Sequence, residues 1–522
     1  FKEKTVLRGV RRCVLGLWGS ALFCYKYLQL IFSMMLKFSE FTGRIYLEVI
    51  AMKKIKAVFC IILSLTAVVS LFSSCGEHGR KIMNDVYSQY DNLADSIEVT
   101  DMDGKTASSF SLKGKQEETR YVTVDLLEQK DFNTVVLNES GKNVTLFEIY
   151  ASNDKDKDYK FLYQSDCIEG GHTCFLGDVS YRYLRIFVNQ SSGGYNLNGL
   201  GVYNIKKENA GGLRVNTYLV AENISEDMDA SMLECVTDII VFGTAKFTAQ
   251  GGICFVDGSG ESVDESYYAD KINILKKKTA GKNINLICDI AMPYGNDNAD
   301  IISMLSEEYV DTTVENIRAF VEKYGFDGYD MDYEFPYSKT EWKQYNEFLR
   351  RLDKAIPDKI ISLAIAPWDL RFDDDVLEII DRAEVMLYDM FTAHGYHSIF
   401  AVTANGVKKA IDGGFDKSKI DLGVPFYSRP TNKLGYWGDY KQFESSLDRF
   451  TNLIYFNDFD HSGSPMTAPQ YINSVQMIAD KTAFAVDAGL GGIMIWHMSC
   501  DLPYDKELSL FRAIYETKQA KK

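Results

Sequence analysis

The sequence predicts two folded regions in series, an N-terminal β-sandwich followed by a C-terminal (β/α)8 barrel. Three observations carry this. From about Thr100 to Ile205 the chain shows short β-type segments and no long helical period. At Glu208-Asn209-Ala210-Gly211-Gly212 the composition turns small and polar, as in a linker. Beyond it, apolar β-type runs alternate with amphipathic helical stretches over roughly 310 residues, the size and rhythm of eight βα units. A chain of 522 residues, 46% hydrophobic and 25% charged, can fill two or three cores and is neither disordered nor fibrous.

In the first region, strands are expected at Tyr121–Leu126, Thr134–Leu137, Leu146–Ala151 and Tyr183–Val188, broken by Gly, Asn and Asp clusters. The series Thr-Val-Asp-Leu (123–126), Phe-Glu-Ile-Tyr-Ala-Ser-Asn-Asp (147–154) and Arg-Tyr-Leu-Arg-Ile (182–186) resembles the galactose-binding-like sandwich of coagulation-factor 5/8 C-type modules. The resemblance implies a domain over 100–207 that either binds carbohydrate or acts as a spacer, and it assigns no ligand residues.

In the second region, spanning 213–520, the expected strands are Arg214–Leu219, Asp238–Phe242, Asn283–Ile290, Gly328–Asp332, Ile360–Ala366, Val385–Tyr388, Asp421–Pro425 and Gly492–Trp496. Helical periods fall at Val314–Tyr324, Lys339–Ile356 and Pro469–Ala488. Continuous apolar runs such as Ile284-Asn285-Leu286-Ile287 suit a parallel sheet covered on both faces.

The front of the chain reads as an address. Lys53, Lys54 and Lys56 precede an apolar run from Ala57 to Phe72, the layout of a secretory signal over 52–75. The run ends in Leu71-Phe72-Ser73-Ser74-Cys75, which resembles a bacterial lipobox. That resemblance implies lipidation of Cys75 and an exported bacterial lipoprotein at an outer membrane, on its periplasmic or cell-surface face. Residues 1–51, with a second apolar stretch from Val14 to Leu36, read as an over-extended N-terminus or, alternatively, a membrane anchor, and 76–99 as a linker. The first 75 residues hold 11 Lys/Arg and 3 Asp/Glu, so the rest carries about −24 of a total −16. Such an acidic body is no nucleic-acid binder.

Of the six cysteines beyond Cys75, only Cys167 and Cys174 stand close enough in sequence to close a small disulfide loop. Cys235, Cys254 and Cys288 sit in apolar runs and read as inert core thiols. Six histidines and no C-x-x-C or H-E-x-x-H leave no metal or cofactor motif.

The chemistry concentrates in Gly325-Phe326-Asp327-Gly328-Tyr329-Asp330-Met331-Asp332-Tyr333-Glu334-Phe335-Pro336. On a strand, Asp330, Asp332 and Glu334 share one face and point into the top of the barrel. Carboxylates crowded in a buried setting repel, and desolvation raises their pKa further. A fold that tolerates this gains an acid still protonated near neutral pH beside a charged neighbour. The strand's C-terminal end is also where barrel enzymes keep their chemistry. Three carboxylates could instead hold a divalent cation, but strict i, i+2, i+4 spacing suits a line of acids better than a wrapped shell.

The string Asp327, Gly328, Asp330, Asp332, Glu334 resembles the D-G-x-D-x-D-x-E signature of glycoside hydrolase family 18, the chitinases and endo-β-N-acetylglucosaminidases. Met386-Leu387-Tyr388-Asp389, Gly423-Val424-Pro425-Phe426-Tyr427-Ser428-Arg429 and Gly491-Gly492-Ile493-Met494-Ile495-Trp496 resemble the same family's later strands, in order. The resemblance implies a substrate-assisted reaction on an N-acetylglucosamine-containing oligo- or polysaccharide, without cofactor. Glu334 would be acid and then base, Asp332 would hold the acetamido group, Asp330 would tune charge, and Tyr388 would bind the acetamido carbonyl. Asp327, Met386, Asp389, Tyr427 and Arg429 would contact sugar or shape the pocket, and Trp496 would stack beneath the ring.

Three departures from the family pattern stand out: Tyr333 in place of Trp, Cys288-Asp289-Ile290-Ala291 in place of S-x-G-G, and His497 in place of an acid. Only roughly 40 residues, Phe426 to Ala468, separate the seventh strand from the next helix, which predicts loops, a shallow open cleft and endo cleavage. Chitin-type cleavage, cleavage of the N-glycan core, and an inactive glycan-binding lipoprotein all remain open readings. Asp373-Asp374-Asp375 suits a helix N-terminus, and Asn296-Asp297-Asn298 with Asp300 a loop and helix cap.

Overall fold

The structure, a computed structural model, describes residues 80–293 and 298–522. The signal at 52–75, Cys75 and its lipidation, the segment 1–51, and Asn296 and Asp297 lie outside the described residues.

The first domain is an eight-stranded antiparallel arrangement built on two long strands, Arg120–Glu139 and Gly171–Ser191. The short strands expected at 121–126 and 134–137 are one strand, bent where its register shifts between Asp125 and Lys130 and between Phe132 and Thr134. Alternation then buries Val122, Val124, Leu184, Ile186 and Val188 in one core with Phe147 and Ile149. Cys167 and Cys174 are both buried free thiols, so no disulfide closes that loop, and Cys254 is exposed rather than in the core.

Neither segment expected to act as a linker is loose. Residues 80–87 are helical, and Ile82, Met83, Val86 and Tyr87 pack into the main core. Pairing begins at Glu98–Asp101, inside the expected linker. Glu208–Gly212 forms a 3-10 turn with Ala210 buried, and Lys518 Nζ donates to the Leu213 carbonyl at 2.5 Å. Sandwich and barrel share buried polar bonds. Tyr163 Oη donates to Asp480 Oδ2 at 2.5 Å and Phe175 N to Asp480 Oδ1 at 2.7 Å. Lys521 bridges Asp487 at 2.8 Å and Thr134 Oγ1 at 3.0 Å.

The second domain is a closed barrel of eight parallel strands: β1 (Arg214–Val220), β2 (Asp238–Phe242), β3 (Asn285–Asp289), β4 (Gly328–Asp332), β5 (Ile360–Ile365), β6 (Arg382–Val385), β7 (Ile420–Pro425) and β8 (Gly492–Trp496). It closes through Gly492–Ile495 on Arg214–Thr217. Period-2 alternation sends Tyr329 and Met331 outward to the helices and Asp330 and Asp332 inward. Gly328 is required by close approach, since a Cβ there would lie 2.5 Å from the Ile360 carbonyl oxygen.

Two elements differ from expectation. The sixth strand is Arg382–Val385, so Met386–Asp389 follow its end at the barrel rim. The helix before β8 starts at Val475, capped by Ser474, while Gln470–Tyr471 joins Arg429–Pro430 and Leu453–Ile454 in a small antiparallel sheet. The segment between β7 and β8 is therefore a folded wall rather than loops alone. Asp373 does precede the helix Asp374–Ile379, with Asp373 and Asp375 also paired to Arg350.

Candidate active site

At the C-terminal rim a cavity of about 400 Å³ is lined by Asp332, Glu334, Met386, Tyr388, Asp389, Tyr427, Arg429 and Trp496, all singled out in the sequence. It is also lined by Tyr218, Phe335, Ala364, Trp368 and Trp437, which were not. Asp330 sits one layer lower, fully buried, where Tyr218 Oη donates to its Oδ2 at 2.7 Å. Asp327 does not reach the site. It precedes β4 at the opposite end of the barrel, where its Oδ2 accepts the Leu286 N–H at 2.8 Å. Its place in the motif reflects strand pairing, not sugar contact.

A fourth carboxylate joins the line. Asp289, at the end of β3, pairs in register with Asp330 and is as buried as its neighbours. Burial, then Asp330 and Asp332, push Asp289 well above the usual carboxylate range. Burial, then Glu334 and Asp330, do the same to Asp332. For Asp330 burial is the larger effect, partly offset by hydrogen bonds from Ser362 and Tyr218, and its pKa stands at about 6. Carboxylates this close titrate as a cluster that cannot all be charged at once.

Glu334 lies beyond the strand end with its side chain open to the cleft. Partial desolvation, then the negative charge of Asp389, raise its pKa, so it keeps a proton to higher pH than an ordinary glutamate. Asp389 goes the opposite way. Burial alone would raise it, but the Arg429 guanidinium outweighs that and holds it below the ordinary range. Arg429 Nε donates to Asp389 Oδ1 at 2.7 Å, its Nη2 donates to Oδ2, and Tyr427 Oη donates to Oδ1 at 3.0 Å. The site thus holds one carboxyl raised in pKa beside one fixed as an anion.

Aromatic rings form the walls. The Trp496 ring lies 5.2 Å from Tyr218 and 5.4 Å from Phe242, with one edge open to the cavity. Trp437 comes from the wall between β7 and β8, and Trp368, 42% exposed, from the loop after β5, edge-on to Phe335. Tyr218 and Asp289 share the inward alternation of the other site residues and could have been read from it, whereas Trp368 and Trp437 arrive by tertiary placement. Tyr333 Oη donates to Glu341 Oε1 at 2.9 Å, away from the cavity, so a Tyr here serves the core. Among the described residues no group of three or more His, Cys, Asp or Glu is arranged to hold a metal ion.

Residues 217–501 match the family model described as glycosyl hydrolases family 18. The chain belongs to glycosyl hydrolases family 18. Ahead of that match, residues 88–199 match the F5/8 type C domain. Among curated relatives, the chain is 25% identical over 242 residues to a probable chitinase 2 of Drosophila melanogaster, covering 36% of this chain and 50% of that protein. It is 25% identical over 315 residues to chitinase A1 of Niallia circulans, covering 47% of this chain and 44% of that one. The chain thus spans about half the length of these curated relatives. Among solved structures, a family 18 chitinase from the chitin utilization locus of Flavobacterium johnsoniae aligns at 21% identity and a TM-score of 0.47, over 59% of this chain and 94% of that one. A chitinase from Bacteroides thetaiotaomicron aligns at 18% identity and 0.46, over 59% and 97%.

Proposed function

We propose that this glycosidase cleaves β-1,4-linked N-acetylglucosamine chains of the chitin type internally, with retention, the substrate supplying its own nucleophile. The observation that carries the reading is the line on β4: Asp330 buried, Asp332 at the cavity floor, Glu334 above it, with Tyr388 and Trp496 on the same cavity. Glu334 gives its proton to the glycosidic oxygen as the bond from the anomeric carbon breaks. The acetamido carbonyl oxygen of the same sugar attacks that carbon, forming a cyclic oxazolinium ion. Asp332 accepts the acetamido N–H and, with the charge left in the cluster, steadies the cation. Tyr388 donates to the acetamido oxygen and orients it. Water then attacks the anomeric carbon, the Glu334 carboxylate takes its proton, and the ring reopens with the original configuration.

The names of the relatives above, chitinases, support chitin over the N-glycan core. The test sets a chitin oligosaccharide against a high-mannose glycoprotein, with products read by mass. Shortened oligomers support the reading. A glycoprotein trimmed to one N-acetylglucosamine, with intact oligomers, would replace it by N-glycan core cleavage. Sugar binding without turnover would make the chain a lectin. The lipobox-like ending at Cys75 supports anchoring at an outer membrane, and incorporation of a radiolabelled fatty acid, lost in Cys75→Ala, tests that.

A further inference from the structure

Behind Asp389 lies a group the mechanism does not use. His397, fully buried, sits in the loop after β6. Its Nε2 is 3.2 Å from the Tyr471 carbonyl oxygen and its Nδ1 is 3.6 Å from Asp389 Oδ1. Both ring nitrogens therefore face acceptors, yet a neutral imidazole carries one N–H. With that proton committed to Tyr471, Nδ1 turns a lone pair toward the carboxylate, and the gap exceeds hydrogen-bond length. The imidazolium would donate to both.

We propose that His397 is a positioning residue of this site, its protonation setting the placement of the Asp389 carboxylate: the neutral ring leaves it to Tyr427 and Arg429, and the imidazolium draws it back. The inference rests on the hydrolase reading for its kinetic consequence, but not for the contact itself. Asp389 Oδ1 already accepts from Tyr427 and Arg429, so a third donor at Nδ1 competes with them. Drawing Asp389 back loosens its hold on Tyr427 and Arg429, both on the cavity wall, so turnover falls on the acid side as the imidazolium forms.

The surroundings set which form prevails. Burial disfavours the imidazolium most, Asp389 favours it, and Arg429 and Lys481 oppose it, so the group is held neutral to a lower pH than an ordinary histidine. Arg429 and Tyr427 face it from the segment after β7, and the Tyr427 ring is 5.6 Å away. Lys481, from the helix Val475–Ala488, reaches the neighbouring Ser398, its Nζ donating to the carbonyl at 2.6 Å and to Oγ at 2.8 Å. Phe391 and Tyr471 close the remaining sides with rings at 6.1 and 6.2 Å.

The test has two arms on the full chain. Imidazole nitrogen shifts are followed by NMR across pH, with His397→Gln identifying the signal. Asp389→Asn is expected to lower the His397 midpoint by about one pH unit, as loss of an adjacent opposite charge does. In parallel, kcat/KM on a chitin tetrasaccharide is measured against pH. His397→Gln, whose amide can still donate to the Tyr471 carbonyl, is expected to move the acid-side midpoint down by about one unit. An unchanged His397 midpoint in Asp389→Asn, or superimposable profiles for wild type and His397→Gln, would overturn the proposal. If wild type cleaves no oligosaccharide, the hydrolase reading fails and the NMR titration alone decides His397.

Discussion

Replacing Tyr218 with Phe removes one oxygen atom from the layer beneath the cavity and leaves the ring's contact with Trp496 in place. That oxygen donates to Asp330 at 2.7 Å between two buried groups. A hydrogen bond to a charged group contributes roughly 1.5–3 kcal/mol, and about 1.4 kcal/mol corresponds to one pKa unit. The Tyr218 bond favours the charged form and lowers Asp330, so deleting it should raise Asp330 by roughly one to two units, from about 6, and the cluster with it. On the acid side, turnover needs negative charge in that cluster to steady the cation, whereas on the alkaline side it needs the proton on Glu334. The expected result is an acid limb of kcat/KM shifted upward by roughly one to two units, with the alkaline limb unmoved. A pH–rate profile on a chitin tetrasaccharide measures this, with thermal melting as the folding control. A folded Tyr218→Phe protein whose profile overlays the wild type would refute the reasoning.

Further outcomes follow from the same structure. Trp496→Ala should lower kcat/KM about tenfold, with Trp496→Tyr recovering part of it, because an aromatic contact contributes roughly 0.5–1.5 kcal/mol beyond its buried area. Asp480→Asn keeps an oxygen for the Phe175 N–H and Gln476 but puts an amide N–H2 where Oδ2 accepts from Tyr163, and should lower the unfolding free energy by about 3 kcal/mol. Calorimetry should also show sandwich and barrel unfolding in one transition, and two separated transitions would contradict the locked interface. Asp166, Asp330 and Asp501 are each raised to about 6 from an unfolded value near 3.8, chiefly by burial. The folded state then binds protons more tightly, so this contribution is complete below about pH 4 and lost as pH rises through about 6. Tm should be higher at about pH 5 than at about pH 8, and the reverse order would count against these burial effects.

The fourth strand was legible to the residue because its alternation, its glycine and its carboxylates agree. The sixth was misplaced for a physical reason. Its inward residues Arg382 and Glu384 look like surface charges, but Arg382 pairs with Asp238 and Glu384 accepts from Asn216 inside the barrel. The apolar Met386-Leu387 that follows read as strand instead. Asp327 was drawn into the site by the motif's length, although strand geometry puts it at the barrel's other end. The Gly-rich 208–212 segment read as a hinge, yet Ala210 and Leu213 are buried. Small residues allow close packing as readily as freedom. Trp368 and Trp437 carry no local signature, since the pairing of distant loops alone delivers them to the cavity.

The most direct test of the central claim follows the anomeric protons of freshly cleaved chitin tetrasaccharide by NMR, with Glu334→Gln as the comparison. Substrate-assisted hydrolysis led by Glu334 should release the β-anomer first, with the variant slowed by roughly 10²–10⁴. An α-anomer released first, or cleavage undiminished in Glu334→Gln, would contradict the account.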